Sequence, residues 1–229
     1  IEYANFGPSY GMNCFNYDDL IAQGKTCFNF SLTMQDLYHD YAIYKQYEDH
    51  FADGAVVAIS VSYFSFCSDT SAPSNSRYYK ILDDDAIKGY TLENDVSANY
   101  LPVYGKGSSL VRDMTTDMLD SIMSKSITVS AEENASENTN VASDDKVRQL
   151  QDDSKVRVVT IETGNLKVYD NCIDENVNIL IEWIKEMQER GLKPIVVLTP
   201  YWIDYANGFD QALLDKGYTH PIARVIDQT

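Results

Sequence analysis

The chain has 229 residues, 44% of them hydrophobic, and a formal net charge of −17. This length and hydrophobic content fit one globular domain with a full core and argue against general disorder. The negative charge disfavours nucleic acid as a partner, since phosphates would be repelled, and it disfavours electrostatic adhesion to anionic membranes. No apolar run reaches the roughly 18 residues of a membrane helix, and no signal peptide is visible.

The start of the chain and the cysteines bear on compartment and cofactors. The first residue, Ile1, lies in a predicted strand, so the N-terminus is interpreted as truncated, and a removed signal or membrane anchor is left open. Four cysteines, Cys14, Cys27, Cys67 and Cys172, are widely spaced without a C-x-x-C pair. The spacing favours free, partly buried thiols and leaves one disulfide open as an alternative. No metal site and no cofactor is expected.

Strands and helices alternate in the first part of the chain. Phe15, Leu20 and Ile21 are expected on the inner face of the first helix, and Thr33 with Asp36 forms a variant capping pair before the second. The predicted elements, in chain order, are a strand at 1–6, a helix at 12–24, a strand at 26–30, a helix running from Leu37 to Phe51 and a strand at 55–62.

The same alternation resumes near the C-terminus. A helix over 171–191 carries an apolar stripe of Ile173, Val177, Leu180, Ile184 and Met187, and a strand follows at 194–199. Strand–helix alternation with short connections predicts an α/β fold with a three-layer, doubly wound parallel sheet. The strand residues Val57, Ile59, Ile195 and Val197 are expected to be nearly fully buried.

An insertion at residues 67–165 interrupts this single predicted domain, which spans residues 1–229. The residues at 110–125 predict a helix within the insertion, and those at 156–170 predict a hairpin that runs from its end into the following segment. Residues 126–154 contain no aromatic residue and many Ser, Asn, Asp and Glu, which predicts a mobile loop. Because ligands of such sheets bind beyond the carboxyl ends of the strands, the insertion is either a lid or a surface excursion.

A serine lies on a sharp turn after the first strand. The stretch N-F-G-P-S-Y-G places Ser9 between Gly7 and Gly11, at the sheet edge where ligands bind. A serine hydroxyl becomes nucleophilic when a base takes its proton and N–H groups receive the oxyanion. A helix beginning after Gly11 would direct free N–H groups toward Ser9. An ordinary turn is the alternative interpretation.

Other ionisable residues give weaker signals. His39 is expected to face solvent, His50 to end a helix, and His220 to be the histidine closest to the site. The aspartates at 83–85 are interpreted as a solvated charge run. A nucleotide-binding or receiver module is disfavoured, because no glycine-rich phosphate cradle and no basic residue occurs over 7–24.

Four blocks in this order resemble the SGNH (GDSL-like) hydrolases: A-N-F-G-P-S-Y-G, C-F-N-F-S-L-T-M-Q, A-V-V-A-I-S-V-S-Y-F and K-P-I-V-V-L-T-P-Y. The nearest likeness is to the bacterial cell-surface branch, which acylates or deacylates envelope polymers. It covers residues 1–66 and 172–205. The resemblance implies a flavodoxin-like SGNH fold and a serine-dependent esterase or acyltransferase located outside the cytoplasm. Its substrate would be an acylated cell-envelope or extracellular glycan, or a small ester.

The resemblance also implies a set of site residues. The nucleophile would be Ser9, and the oxyanion and substrate-binding positions would be Leu32, Thr33, Ser62, Tyr63 and Tyr10. Members of the branch commonly have His where Tyr10 stands, and this chain has no Gly-x-Asn-Asp after the third strand. The family's Asp-x-x-His block near the C-terminus is missing too, so the C-terminus is interpreted as truncated, and whether the block follows Thr229 is left open. A non-catalytic relative that binds a glycan or a protein at the same cleft is the alternative.

Overall fold

A computed structural model describes residues 1–67, 78–99, 172–201 and 203–229. These residues belong to two units: one holds 1–67 with the described residues from 172 onward, and the other holds 78–99. Each unit is treated by itself below. The helix predicted at 110–125, the loop predicted at 126–154 and the hairpin predicted at 156–170 lie outside the described residues.

The first unit contains a four-stranded sheet in which every strand pair is parallel. The strand order is β2-β1-β3-β4. Parallel pairing places the carboxyl ends of all four strands at one edge of the sheet, so the predicted α/β class with a parallel sheet is confirmed. The strands are β1 (Tyr3–Phe6), β2 (Cys27–Asn29), β3 (Val56–Val61) and β4 (Lys193–Leu198), each within two residues of its predicted bounds.

Two short helices stand where the sequence predicted one at 12–24. The first, α1 (Ser9–Cys14), includes Gly11, and α2 (Asp18–Ala22) follows after a break. The break occurs because Phe15 has an extended backbone and the Asn16 side chain accepts the Asp18 N–H at 2.8 Å, a local bond that competes with helix continuation. The expected inward position of Ile21 is wrong, since this side chain is 56% exposed.

The longer helices pack against each other on one side of the sheet. They are α3 (Leu37–Tyr47) and α5 (Ile173–Glu189), and the predicted apolar stripe of α5 is buried. The predicted Thr33–Asp36 capping pair is wrong. Asp36 is itself the N-cap, because its carboxylate accepts the His39 N–H at 2.9 Å. The C-terminal helices are α6 (Ile203–Gly208), α7 (Gln211–Leu214) and α8 (His220–Gln228), with a π-helical turn at Asp215–Thr219 between the last two.

An aromatic core fills the space between the sheet and these helices. The fully buried ring of Phe6 stacks on Phe30 at a centroid distance of 4.7 Å and meets Trp183 of α5 edge-on at 5.1 Å. Tyr44 of α3 packs against both Phe6 and Trp183. Such aromatic pairs contribute about 0.5–1.5 kcal/mol each beyond the area they bury, so they hold α3 and α5 on β1.

The opposite face of the sheet is less apolar than the sequence suggested. It presents Asn5 and Ser60, both buried, to α1, which packs on β1 and β3. The expected burial of Val57 and Ile59 is confirmed at 0% exposure, but the expectation is wrong for β4. Ile195 is 49% exposed and Val197 is half-buried. Both residues lie on β4, which is the edge strand of the described sheet, whereas α1 packs on the central strands β1 and β3.

The second unit contains α4 (Leu92–Asn99) and two 3₁₀ turns, at Tyr78–Lys80 and Asp84–Ala86. Tyr90 packs on Tyr79 at a centroid distance of 5.5 Å and donates a hydrogen bond to Asp95 Oδ2 at 3.1 Å. Residues 83–85 are exposed, as expected of a solvated charge run.

Candidate functional site

The turn after β1, residues 7–9, is called the serine turn below. It requires glycine at its first position, because Gly7 has a φ of +133° and a Cβ there would lie 2.8 Å from the Ser60 backbone oxygen. The Gly7 N–H donates to Asp40 Oδ1 at 2.9 Å, and the Gly7 carbonyl accepts the Leu32 N–H at 3.2 Å. The turn is therefore fixed on both sides by neighbouring segments.

Ser9 begins α1 at the carboxyl edge of the sheet. Its side chain is half-buried, and its Oγ has no hydrogen-bond partner among the described residues. The first backbone hydrogen bond of α1 runs from the Met12 N–H to the Pro8 carbonyl oxygen, at 3.2 Å. Within the described part of the chain the N–H groups of Ser9 and Tyr10 have no acceptor. The turn thus offers a hydroxyl group beside unused N–H donors.

A buried polar network holds α1 against the sheet. Asn5 Nδ2 lies 3.0 Å from the Gly11 carbonyl oxygen, 2.9 Å from Asn29 Oδ1 and 2.8 Å from Ser31 Oγ. Tyr17 donates its hydroxyl proton to Asn5 Oδ1 at 2.8 Å. Because a buried polar group without partners is costly, these bonds permit few other placements of α1 and hence of Ser9.

The segment after β2, residues 30–35, is called the second-strand loop below. It contains Leu32 and Thr33, the two expected oxyanion positions. The Leu32 N–H is engaged by the Gly7 carbonyl, whereas the Thr33 N–H has no acceptor among the described residues. Met34 follows with a φ of +59° and is 84% exposed. Of the two expected donors, only that of Thr33 remains available to a ligand.

The two expected positions after β3 differ in accessibility. Ser62 is fully buried, with its N–H donated to Ser65 Oγ and its Oγ 2.9 Å from the same atom. Tyr63 is half-buried and donates its N–H to the Tyr201 hydroxyl at 3.3 Å. The hydroxyl group of Ser62 therefore supports the loop, and it is Tyr63 that reaches the surface.

Tyr10, Tyr63, Tyr201 and Tyr218 form a tyrosine cluster near the serine turn. Tyr10 meets Tyr201 edge-on at a centroid distance of 5.3 Å, and Tyr63 lies 4.2 Å from Tyr201 and 4.9 Å from Tyr218. Burial raises the pKa of Tyr63 and raises that of Tyr218 to about 12. Both phenols are neutral at pH 7, so they offer flat rings and hydrogen-bonding hydroxyls but no base.

The histidines are not where the sequence led us to expect. The prediction that His39 faces solvent is wrong: it is 1% exposed, and its Nδ1 lies 2.8 Å from Asp36 Oδ2. A carboxylate in this position fixes the tautomer and orientation of a histidine ring. The sequence signal that could have predicted this pair is an Asp three residues before a His at the start of a helix, since the N-cap carboxylate can then reach the imidazole. His50 and His220 are exposed, and no histidine is hydrogen-bonded to Ser9 in the described ranges.

A buried carboxyl group on α3 also escaped the sequence analysis. Asp40 is 1% exposed and accepts hydrogen bonds at Oδ1 from Gly7 and from Gln35 Nε2. Burial raises its pKa to about 8. The signal for it was its spacing, since Leu37, Asp40 and Tyr44 share one helical stripe and the two neighbours are apolar or aromatic.

The part of the chain that the structure describes contains no group of three or more His, Cys, Asp or Glu residues arranged to hold a metal ion. Within the same described residues, no disulfide joins any two of the four cysteines. Among the described helices, none combines the length and the apolar character needed to cross a membrane. In comparisons with known proteins, no family model, no curated protein and no solved structure matches the chain.

Proposed function

We propose that the protein is a serine-dependent esterase or acyltransferase with an SGNH-type three-layer fold. Its substrates would be acyl groups of a cell-envelope or extracellular glycan. The observation that carries the proposal is the half-buried Ser9 hydroxyl at the carboxyl edge of a parallel sheet, next to unused N–H groups. The position outside the cytoplasm and any N-terminal membrane anchor belong to the same proposal and rest on the sequence resemblance alone.

The N–H groups of Ser9, Tyr10 and Thr33 support an oxyanion-binding role. Hydrogen-bond donors aimed at a developing negative charge are worth about 2.7–4 kcal/mol each in acyl transfer. Leu32 contributes indirectly, since its bond to the Gly7 carbonyl brings the second-strand loop next to the serine turn. A base for Ser9 is not among its described contacts, so the proposal predicts slow acylation of the serine by ester-type reagents.

The direct test is labelling with a fluorophosphonate, which forms a covalent adduct on activated serines. We expect an adduct on Ser9, located by peptide mass spectrometry and lost in Ser9→Ala. Ser62→Ala is the matched control and should keep the adduct, because the Ser62 hydroxyl is buried against Ser65. A folded wild-type protein that gives no Ser9 adduct between pH 7 and 9 would refute the proposal.

A second pair of variants addresses the base. His39→Gln removes the imidazole held by Asp36, and His220→Gln removes an exposed imidazole. Loss of labelling in His39→Gln alone would assign proton transfer to the buried pair. Loss in His220→Gln alone would assign it to the C-terminal helix. Unchanged labelling in both would mean that neither imidazole is the base.

The tyrosine cluster supports the alternative function, a glycan-binding relative without turnover. Flat aromatic rings with polar hydroxyls are suited to stacking on and hydrogen-bonding to sugars. Tyr63→Ala should then weaken binding of an acetylated hexosamine oligosaccharide in calorimetry, while Ser9→Ala should leave it unchanged. Binding in both proteins without release of acetate would favour the alternative, and release of acetate that requires Ser9 would exclude it.

A further inference from the structure

One carboxylate oxygen joins two segments that border Ser9. Asp40 Oδ1 accepts the Gly7 N–H at 2.9 Å and also accepts from Gln35 Nε2. Gly7 opens the serine turn, and Gln35 closes the second-strand loop. The same Nε2 atom lies 3.1 Å from the Phe30 carbonyl oxygen, at the start of that loop. The side chain on α3 thereby contacts the serine turn directly and both ends of the second-strand loop through Gln35.

We propose that Asp40 is a positioning residue that fixes the serine turn and the second-strand loop relative to each other. Without Asp40 Oδ1, the buried Gly7 N–H would lack an acceptor, at a cost of about 1–3 kcal/mol. Gln35 Nε2 would lose one of its two hydrogen-bond acceptors and keep the Phe30 carbonyl oxygen. The remaining direct bond, from the Leu32 N–H to the Gly7 carbonyl, is long at 3.2 Å. The effect of Asp40 on the reactivity of Ser9 rests on the proposed function. The hydrogen bonds by which Asp40 connects the serine turn to the second-strand loop do not depend on that function.

Few charged groups face Asp40. On its own helix Asp36 acts on it electrostatically, and the neighbouring His39 is bound to Asp36. The serine turn and the second-strand loop contribute neutral donors only. On α5, which packs against α3, the carboxylate of Glu186 accepts a hydrogen bond from the Tyr41 hydroxyl at 2.6 Å and has no described bond to Asp40. No cation is among the described partners of Asp40, so its negative charge would be uncompensated.

The protonation state of Asp40 follows from this environment. Burial is the largest influence on its pKa, which lies near 8, while the bonds from Gln35 and Gly7 act in the opposite direction. At pH 7 the carboxyl group is therefore mostly neutral. Oδ2 has no partner within the described residues. Asparagine reproduces the neutral form, because its Oδ1 can accept from the same two donors and its Nδ2 takes the place of Oδ2.

Nuclear magnetic resonance tests the joining directly. In the ¹⁵N-labelled full chain, the Gly7 amide signal should titrate with a midpoint of about 8, because its proton is donated to Asp40. The buried, hydrogen-bonded Gly7 amide should exchange its proton with solvent slowly in the wild type. Asp40→Asn should abolish the titration of the Gly7 signal and leave this exchange slow, whereas Asp40→Leu should accelerate it. The Gly191 amide, donated to the Gln188 carbonyl at 2.9 Å, is the control and should not titrate. A Gly7 titration retained in Asp40→Asn, or a Gly7 exchange rate in Asp40→Leu equal to that of the wild type, would overturn the proposal.

Serine labelling provides the functional arm. At pH 7, Asp40→Asn should react with the fluorophosphonate at close to the wild-type rate, and Asp40→Leu at least about tenfold more slowly, because misplaced groups lose effective concentration. Equal rates in Asp40→Leu and the wild type would overturn the positioning role. If the wild type is not labelled at all, the proposed function fails while the Gly7 titration still decides the joining. If Asp40→Leu does not fold, the expected loss of the Gly7 titration in Asp40→Asn still tests whether Asp40 joins the two segments.

Discussion

The packing beneath Ser9 predicts that Gly11→Ala destabilises the protein. In a helix, alanine is ordinarily more favourable than glycine by roughly 0.5–1 kcal/mol. Here a Cβ on Gly11 would lie 2.5 Å from Ser31 Oγ, 3.0 Å from Ser60 Oγ and 3.1 Å from the Phe6 carbonyl oxygen. The first distance is shorter than a carbon and an oxygen tolerate without a covalent bond, so α1 or Ser31 has to move.

The expected size of the effect follows from two opposing contributions. Inserting one carbon into a filled space costs about 1–3 kcal/mol. Moving Ser31 also disturbs its 2.8 Å contact with Asn5 Nδ2, on which the buried network depends. Subtracting the helix preference of alanine, about 0.5–1 kcal/mol, leaves a net loss in the free energy of unfolding of about 1 kcal/mol at the centre of the range and about 2.5 kcal/mol at most.

A double-mutant cycle in urea, followed by far-ultraviolet circular dichroism, measures the effect and its cause. Ser31→Ala removes the atom in closest conflict. The double variant should therefore be more stable than the sum of the single losses predicts, by about 1 kcal/mol. Wild-type or higher stability in Gly11→Ala would refute the placement of α1 on the sheet. Additive losses would show that Ser31 is not the obstacle.

Two further predictions concern burial. The folded-state pKa of Asp40 is about 8, above its ordinary value of 3.8, so its contribution to stability is complete below about pH 4 and is lost as pH rises through 8. The free energy of unfolding should therefore fall as pH rises within this window. Urea unfolding at pH 5, 6 and 7 should show the fall reduced in Asp40→Asn and retained in a variant of an exposed aspartate, Asp53→Asn; parallel curves for Asp40→Asn and the wild type would contradict it. Ile59→Val should cost about 0.5–1.5 kcal/mol and Ile195→Val less than about 0.5, because only Ile59 is fully buried. Equal midpoint shifts in thermal unfolding would show that the two sites are equally covered.

Local sequence patterns were sufficient for the secondary elements that matter most to the fold. The run of β-branched residues around Ile59 predicted β3, and the stripe from Ile173 to Met187 predicted α5, because strand and helix periodicities are properties of neighbouring residues. The position of Ser9 at the sheet edge was predicted as well, since the strand and the glycine turn adjoin it in sequence.

The tertiary structure decided which side chains surround that serine. Asp40 and Gly7 are 33 residues apart, and no local pattern indicates that a helical carboxyl group accepts from a strand-end N–H. The burial of His39 and the exposure of Ile195 likewise depend on which helix covers which face of the sheet. Burial and hydrogen bonding are set by neighbours distant in sequence, so residue type and spacing determined the four strands and the two longer helices but left their environments undetermined.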